Sequence, residues 1–171
     1  ALQIWSMPEL GYQETKTTAL LQDELKKAGF RIDAGVAGIP TAFVARAGTN
    51  DGPVIAILAE MDSLPGLSNA AVPERKPVAG QASGHACGHN LFGSGAVAAA
   101  IAVKKWMEET GTKGQLRVYG TPAEEGGGGK VFLLERGAFA GVDAAMMVHP
   151  APIEHLTPRV SAVAHFGVAY E

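Results

Sequence analysis

Residues 54–62 read Val-Ile-Ala-Ile-Leu-Ala-Glu-Met-Asp, and this stretch decides the fold. Its first six residues are apolar and lack the polar alternation of a half-exposed strand. Such a run is typical of a strand that is covered on both faces of a sheet. Glu60 and Asp62 lie on one face of the extended chain, because side chains two residues apart point the same way in a strand. The stretch therefore predicts a buried central strand that ends in two carboxylates.

The segments around this strand alternate between strand and helix patterns. Further strands are predicted at 41–47, 116–121 and 143–149, and helices at 15–28, 90–110 and 130–136. This alternation predicts an α/β fold with a mixed, largely parallel sheet and helices on both faces. The last of these strands is expected to be buried like the central one. On the longest predicted helix, 90–110, one stripe of residues is expected to pack on the sheet. This stripe consists of Leu91, Gly95, Ala98, Ala102 and Trp106.

Composition excludes several classes of protein. The 171 residues include 14 Lys and Arg against 17 Asp and Glu, which gives a net charge of −3 and argues against nucleic acid or an anionic membrane as the main partner. A hydrophobic fraction of 47% is too high for a disordered chain. The one cysteine excludes an internal disulfide framework and is compatible with a reducing compartment, so we expect a cytoplasmic protein.

The most informative motif is Gly-His-Ala-Cys-Gly-His-Asn at residues 84–90. Cys87 and His89 are two residues apart, so a thiolate and an imidazole can face one metal ion. The alternative is a buried thiol beside a histidine that caps the following helix. His85 lies on the same face, but three ligands at alternate positions would crowd one ion, so we expect a structural or supporting role for it.

A pair of carboxylates, Glu124 and Glu125, follows the predicted strand 116–121. One of them can hold a metal ion while the other takes a proton from water, a division that suits metal-assisted hydrolysis. The alternative is a solvated acidic loop. The glycines at 126–129 and Lys130 do not form a phosphate-binding loop, because the first glycine and the final Ser or Thr of that motif are missing.

Two further residues stand at strand ends. His149 is the last residue of the predicted apolar strand 143–149, and Pro150 stops that strand, so the imidazole is placed to bind a metal ion. The alternative is a packed histidine. Asp62 could orient a ligand or tune the metal. We expect His155 and His165 to be surface or packing residues.

Together these segments resemble a known family. The matching stretches are 6–15, 37–43, 84–90, 100–106, 119–130 and 148–150. In these stretches the sequence resembles the metal-dependent aminoacylase and carboxypeptidase-type amidohydrolases, in particular the branch of aminobenzoyl-glutamate hydrolase and the β-alanyl dipeptidases. The resemblance implies a hydrolase that cleaves the amide bond of an N-acyl amino acid or a dipeptide-like small molecule.

The resemblance also implies roles for individual residues. The implied ligands of a divalent metal centre, with two Zn²⁺ or Mn²⁺ ions, are Cys87, His89, Glu125 and His149. Glu124 would be the general base and acid. Asp62 matches the family's acidic residue after the central strand, and we count Asp62 with Glu124 as catalytic. Other branches have a metal-binding histidine at the position of Glu60, so no ligand role is carried over to that residue.

The resemblance further implies a domain organisation. Residues 1–157 would be the N-terminal part of the catalytic domain, and 158–171 the first strand of a lid or dimerisation domain. The family's last histidine ligand comes later in the chain. We therefore expect the sequence to be a fragment with little activity alone, and the whole protein to be a dimer.

Two other functions compete with the metallohydrolase. In a cysteine hydrolase, Cys87 would be the nucleophile and His149 or His89 its base, and chelators would not inhibit it. In a non-catalytic metal-binding module, Glu124 would have no task.

Overall fold

The computed structural model describes residues 1–154 and 156. The elements, in chain order, are α1 Leu2–Trp5, α2 Thr15–Lys27, β1 Arg31–Ala34, β2 Phe43–Gly48, β3 Val54–Glu60, β4 Leu64–Pro65, β5 Ser83–Gly84, α3 His89–Thr110, β6 Gln115–Thr121, α4 Gly129–Glu135 and β7 Ala144–Met146. The predictions for 158–171, His155 and His165 lie outside the described residues.

The main sheet has the strand order β1-β2-β6-β3-β7. β3 pairs in parallel with β6 and β7, whereas β2 pairs antiparallel with β1 and β6. The mixed α/β sheet predicted from the sequence is therefore confirmed. Because parallel strands share a direction, the carboxyl ends of β3, β6 and β7 lie at one edge of the sheet. In the register of this edge, Glu60 is opposite Thr121.

Helices cover both faces of the sheet, as predicted. On one face, α2 and α3 enclose the main core, which includes Leu25, Phe43 and Ile57. On the other face, the turn after α4 packs against Val44 and Tyr119, with the Tyr119 and Phe139 rings stacked at 4.5 Å between centroids, and Leu133 of α4 packs in an adjoining cluster. The two cores hold the central strands in place, and the ends of these strands in turn position the chain that follows them.

The prediction of the buried stripe on α3 is wrong. Leu91 and Trp106 are 57% and 53% exposed, and the residues that face the sheet include Gly93, Val97 and Ala100. Small apolar residues lie on most sides of this helix, so their spacing did not define a single buried face. The close approach of α3 to β3 decides the face, because a Cβ atom at Gly93 would lie 2.5 Å from the Glu60 carbonyl oxygen.

β7 also differs from the prediction, since it is shorter than 143–149 and all three of its residues are exposed. It is the last strand in the sheet order, so only one of its edges is paired within the described residues. Beside it, an apolar groove of about 480 Å³ runs along the exposed side of α3. The sequence analysis also missed α1 and β1. Among the described residues, no helix combines the length and apolar character that a bilayer span requires.

Candidate metal centre

The candidate residues gather at the carboxyl edge of the three parallel strands. Asp62 follows β3, the two glutamates follow β6, and His149 follows β7. His89 is the first residue of α3, and the left-handed Gly88 before it (φ 92°) turns the chain into the helix. Four separate segments of the sequence therefore contribute to one site.

His89 lies at the centre of the site and is 1% exposed. Its Nδ1 is 3.1 Å from Asp62 Oδ1, and its Nε2 is 3.1 Å from Glu60 Oε2. Burial alone would lower the pKa of His89, but the hydrogen bond to Asp62 and the charge of Glu60 raise it above its ordinary value. A proton on Nδ1 that is donated to Asp62 leaves the Nε2 lone pair available to a metal ion.

Asp62 makes a second contact across the site. Its Oδ2 accepts a hydrogen bond of 2.8 Å from the backbone N–H of Glu125. Burial works to raise the pKa of Asp62, but the contacts with His89 and with this N–H hold it below its ordinary value. Asp62 thus orients an imidazole on one side and the start of the acidic loop on the other.

Cys87 and His149 form the more open side of the site. Cys87 Sγ is 3.2 Å from His149 Nε2, and these two atoms lie within 4.8 Å of a ring nitrogen of His89. His149 Nδ1 is 2.8 Å from the Pro150 carbonyl oxygen, so a proton on Nδ1 leaves Nε2 free to coordinate. The His149 ring also contacts Phe92, at 5.0 Å between centroids.

The carboxylates of Glu124 and Glu125 both approach His89. Glu124 Oε2 and Glu125 Oε1 are each 3.7 Å from His89 Nε2. The two side chains differ in burial, because that of Glu124 is 41% exposed and that of Glu125 only 17%. Partial burial and the charge of Glu60 raise the pKa of Glu124, although Lys130 opposes the shift.

Glu60 is a buried carboxylate whose Oε1 pairs with the Lys130 ammonium group. Its other oxygen, Oε2, has no hydrogen-bond partner among the described residues. Glu60, His89 and Glu124 offer a second set of three ligand atoms within 4.8 Å of one another. The sequence analysis assigned no role to Lys130, because it considered this residue only as part of a phosphate-binding loop and excluded that motif.

The donor atoms fit a divalent cation. His89 Nε2 and Glu60 Oε2 lie 3.1 Å apart but are not aligned as a hydrogen bond, and the buried Glu125 Oε1 also has no hydrogen-bond partner in the described part of the chain. Buried polar atoms without hydrogen bonds are costly unless an ion takes that place. Burial, together with the carboxylates of Glu125 and then Glu124, raises the pKa of Cys87 to about 12. A dication would reverse this effect, because a coordinated thiol loses its proton. Thiolate, imidazole and carboxylate ligands together suit Zn²⁺, and carboxylates also accept Mn²⁺.

The structure separates His85 from this cluster. His85 is buried, neither of its ring nitrogens has a partner in the described structure, and burial lowers its pKa to about 4. It belongs to neither set of potential ligands, in line with the supporting role expected for it. The six residues singled out as catalytic or metal-binding are brought together: Asp62, Cys87, His89, Glu124, Glu125 and His149.

Comparisons with known proteins identify relatives of this chain. The model of peptidase family M20/M25/M40 matches residues 56–163. The chain is 48% identical over 149 residues to a component of the p-aminobenzoyl-glutamate hydrolase of Escherichia coli (strain K12), covering 86% of this chain and 31% of the relative. It is 37% identical to the Xaa-Arg dipeptidase of Mus musculus, covering 86% of this chain and 33% of the relative. The chain spans about a third of the length of the curated relatives it matches.

A solved structure from Bacillus subtilis is also similar. It is described as a dinuclear metal-binding peptidase of the M20 family, and it aligns with a TM-score of 0.75 and 31% identity over 88% of this chain and 41% of that one.

Proposed function

Because the chain belongs to peptidase family M20/M25/M40, we propose that the protein hydrolyses the amide bond of an N-acyl amino acid or a dipeptide-like small molecule with the help of divalent metal ions. The observation that carries the proposal is the position of Glu124. Its carboxylate is 3.7 Å from His89 Nε2 in a cluster of potential ligands, yet its side chain is 41% exposed and open to a substrate. A metal site with a purely structural role has no use for such a group.

The proposed ligands are Cys87, His89, Glu125 and His149, with Asp62 orienting His89 and the backbone of Glu125. A bound divalent ion lowers the pKa of a coordinated water and polarises a substrate carbonyl. Glu124 Oε2 takes the proton from the attacking water and delivers it to the leaving nitrogen.

We propose two ions, of Zn²⁺ or Mn²⁺. The support is the presence of two sets of donors around His89, one with Cys87 and His149 and one with the carboxylates of Glu60 and Glu125, which leaves Glu124 free as the base. His89 Nε2 can coordinate one ion at a time, so the two sets compete for it unless a further ligand joins the site. The neighbour from B. subtilis is described as dinuclear, which is in line with this number.

The proposed substrate class is based on what the relatives are named for. These names include a p-aminobenzoyl-glutamate hydrolase, a dipeptidase and an N-acetyl-L-cysteine deacetylase, whose substrates share an amide next to an amino acid. We extend the proposal to a dimer built through a lid domain, with residues 1–157 in the catalytic domain, and to a cytoplasmic location, where the Cys87 thiol stays reduced. Light scattering on the full-length protein tests the dimer.

The test of the proposed function is Glu124→Gln in the full-length protein. This change keeps the size of the side chain and removes the base, so hydrolysis of p-aminobenzoyl-glutamate should fall by about 10³-fold while metal content stays at the wild-type value. The matched control is Glu135→Gln at the exposed end of α4, which should leave hydrolysis and metal content unchanged. Full activity of the Glu124→Gln variant would contradict the proposal.

A cysteine hydrolase is the second candidate, because Cys87 Sγ lies 3.2 Å from His149 Nε2. The two functions respond differently to chelation. Removal of the metal should abolish amide hydrolysis, and added Zn²⁺ or Mn²⁺ should restore it, whereas a cysteine hydrolase would stay active without metal. The pKa of about 12 at Cys87 favours the metal-dependent reaction, because almost no thiolate forms near neutral pH without a cation.

A further inference from the structure

The segment 11–14 crosses the loop 123–127, which carries the two glutamates of the site. The Tyr12 hydroxyl donates a hydrogen bond of 2.6 Å to the Gly127 carbonyl oxygen. The Glu14 carboxyl group accepts one of 2.8 Å at Oε1 from the Ala123 N–H. A Cβ atom at Gly11 would lie 2.9 Å from Ala123, so the two segments touch without a side chain between them. Contacts between residues more than 100 positions apart in sequence therefore join this segment to the site.

The loop has a backbone conformation that needs outside support. Ala123 has φ 55°, in the left-handed region that residues with a Cβ atom rarely adopt. Such a conformation persists only where surrounding contacts hold it. Ala123 is also 1% exposed, so its N–H needs a protein acceptor in place of water. Glu14 provides that acceptor.

The two backbone N–H groups on either side of Glu124 are held by two different carboxylates. The N–H of Ala123 binds Glu14, and the N–H of Glu125 binds Asp62. The peptide between them is thereby fixed at both ends, and the Glu124 side chain leaves it toward His89. Without the contact at Ala123, only the Asp62 side of the loop would be held by a carboxylate.

We propose that Glu14 is a positioning residue for the proposed hydrolysis, which sets the conformation of Ala123 so that the Glu124 and Glu125 carboxylates reach the metal centre. The catalytic role of Glu124 in this inference rests on the proposed function, whereas the support of the loop by Glu14 rests on the geometry alone. In the described structure, the Glu14 carboxyl group reaches the loop through the Ala123 N–H and forms no hydrogen bond with the proposed metal ligands. It acts through the backbone of the loop.

The hydrogen-bond acceptor at Glu14, rather than its charge, carries this role. Glu14 is fully buried, and burial raises its pKa despite the hydrogen bonds that it accepts. Its Oε2 has no hydrogen-bond partner in the described structure, and the buried hydroxyl of Thr41 faces the same carboxyl group. Glutamine can keep an oxygen on the Ala123 N–H and turn its amide toward Thr41. Aspartate keeps the charge but is one methylene too short.

The experiment compares Glu14→Gln, Glu14→Asp and Glu14→Ala in the full-length protein. In the Asp and Ala variants kcat should fall by about 10²-fold with KM changed less than about threefold, because a displacement near 1 Å at a reacting group has an effect of that size. The Gln variant should stay within about fivefold of the wild type, because it keeps the acceptor. The matched control is Glu9→Gln, whose carboxylate binds the N-terminus of α2 and no part of the loop, and whose kcat should not change.

Amide hydrogen exchange at residues 123–125 gives a second readout that needs no activity. Exchange should accelerate by at least about tenfold in the Asp and Ala variants and stay slow in the Gln and Glu9→Gln variants. If the wild-type protein with metal hydrolyses no amide, the proposed function fails, and exchange still decides the role of Glu14. The inference is overturned if the Asp variant keeps wild-type kcat and exchange, or if the Gln variant loses both as fully as the Asp variant.

Discussion

The two sides of the candidate metal centre differ in how firmly the fold holds them. The inner side, Glu60, Asp62 and His89, is about 1% exposed, and its groups contact Lys130, each other and the backbone of the acidic loop. The outer side, Cys87 and His149, is more exposed and rests on the contact between these two residues, one backbone carbonyl and the tilted ring of Phe92. We therefore expect the inner side to contribute to the stability of the fold as well as to the site, and the outer side to contribute mainly to metal binding.

Asp62→Ala should have the largest effect on the free energy of unfolding. It leaves His89 Nδ1 and the Glu125 N–H without their acceptor, and each buried group without a partner costs about 1–3 kcal/mol. We expect a loss of about 2–4 kcal/mol in urea unfolding and, since His89 loses its orientation, metal affinity lower by about 10–100-fold. A variant as stable as the wild type would remove the distinction between the two sides.

Gly93→Ala tests how closely α3 must approach β3 to place His89. The new Cβ atom would meet the Glu60 carbonyl oxygen at 2.5 Å, so the helix has to shift, and we expect a loss of about 1–3 kcal/mol in urea unfolding. Gly95→Ala on the same helix is the matched control. Among the described residues, no atom outside this part of the helix lies within 4 Å of its added Cβ, so it should gain about 0.5–1 kcal/mol through helix propensity. Equal effects at the two positions would contradict the close approach.

Glu9→Gln extends the comparison to a carboxylate that supports the fold outside the site. Glu9 accepts hydrogen bonds from the N–H groups of Lys16 and Thr17 at the start of α2, and its charge is favourable there. We expect a loss of about 1 kcal/mol at neutral pH, measured by urea unfolding.

The pH dependence of this loss has a definite sign. Burial works to raise the pKa of Glu9, but the hydrogen bonds from α2 hold it below its ordinary value of 4.5. The stability difference between wild type and Glu9→Gln should be full above pH 4.5 and vanish as the pH falls through the lowered pKa. A difference that persists in acid would show that the charge of Glu9 is not its source.

His149→Ala should have the smallest effect on stability and a large effect on metal binding. Its side chain makes few contacts, so the free energy of unfolding of the metal-free protein should change by less than about 0.5 kcal/mol. Metal affinity, measured by titration calorimetry, should fall by more than about 100-fold, because loss of a ligand exceeds the loss of an orienting partner. Large destabilisation of the metal-free protein would place His149 with the inner side instead.

Much of this architecture could be predicted from local patterns. The run at 54–59 is β3, the helix predicted at 15–28 is α2, and the motif at 84–90 ends in α3, because apolar periodicity and turn residues act over short distances. The face of α3 could not be predicted, since an alanine-rich helix looks apolar on most sides. The exposure of β7 was also missed, because apolar composition does not say which strand lies at the edge of the sheet.

For the site, the chemistry was readable and the geometry was not. The types and spacing of the thiol, imidazoles and carboxylates made them candidates, and the resemblance to a known family implied which of them would be ligands. Only the tertiary structure decided that Lys130 pairs with Glu60 and that Glu14 holds the N–H of Ala123. These contacts join residues 70 and 109 positions apart, and such pairings depend on how strands and helices pack, which no local pattern encodes.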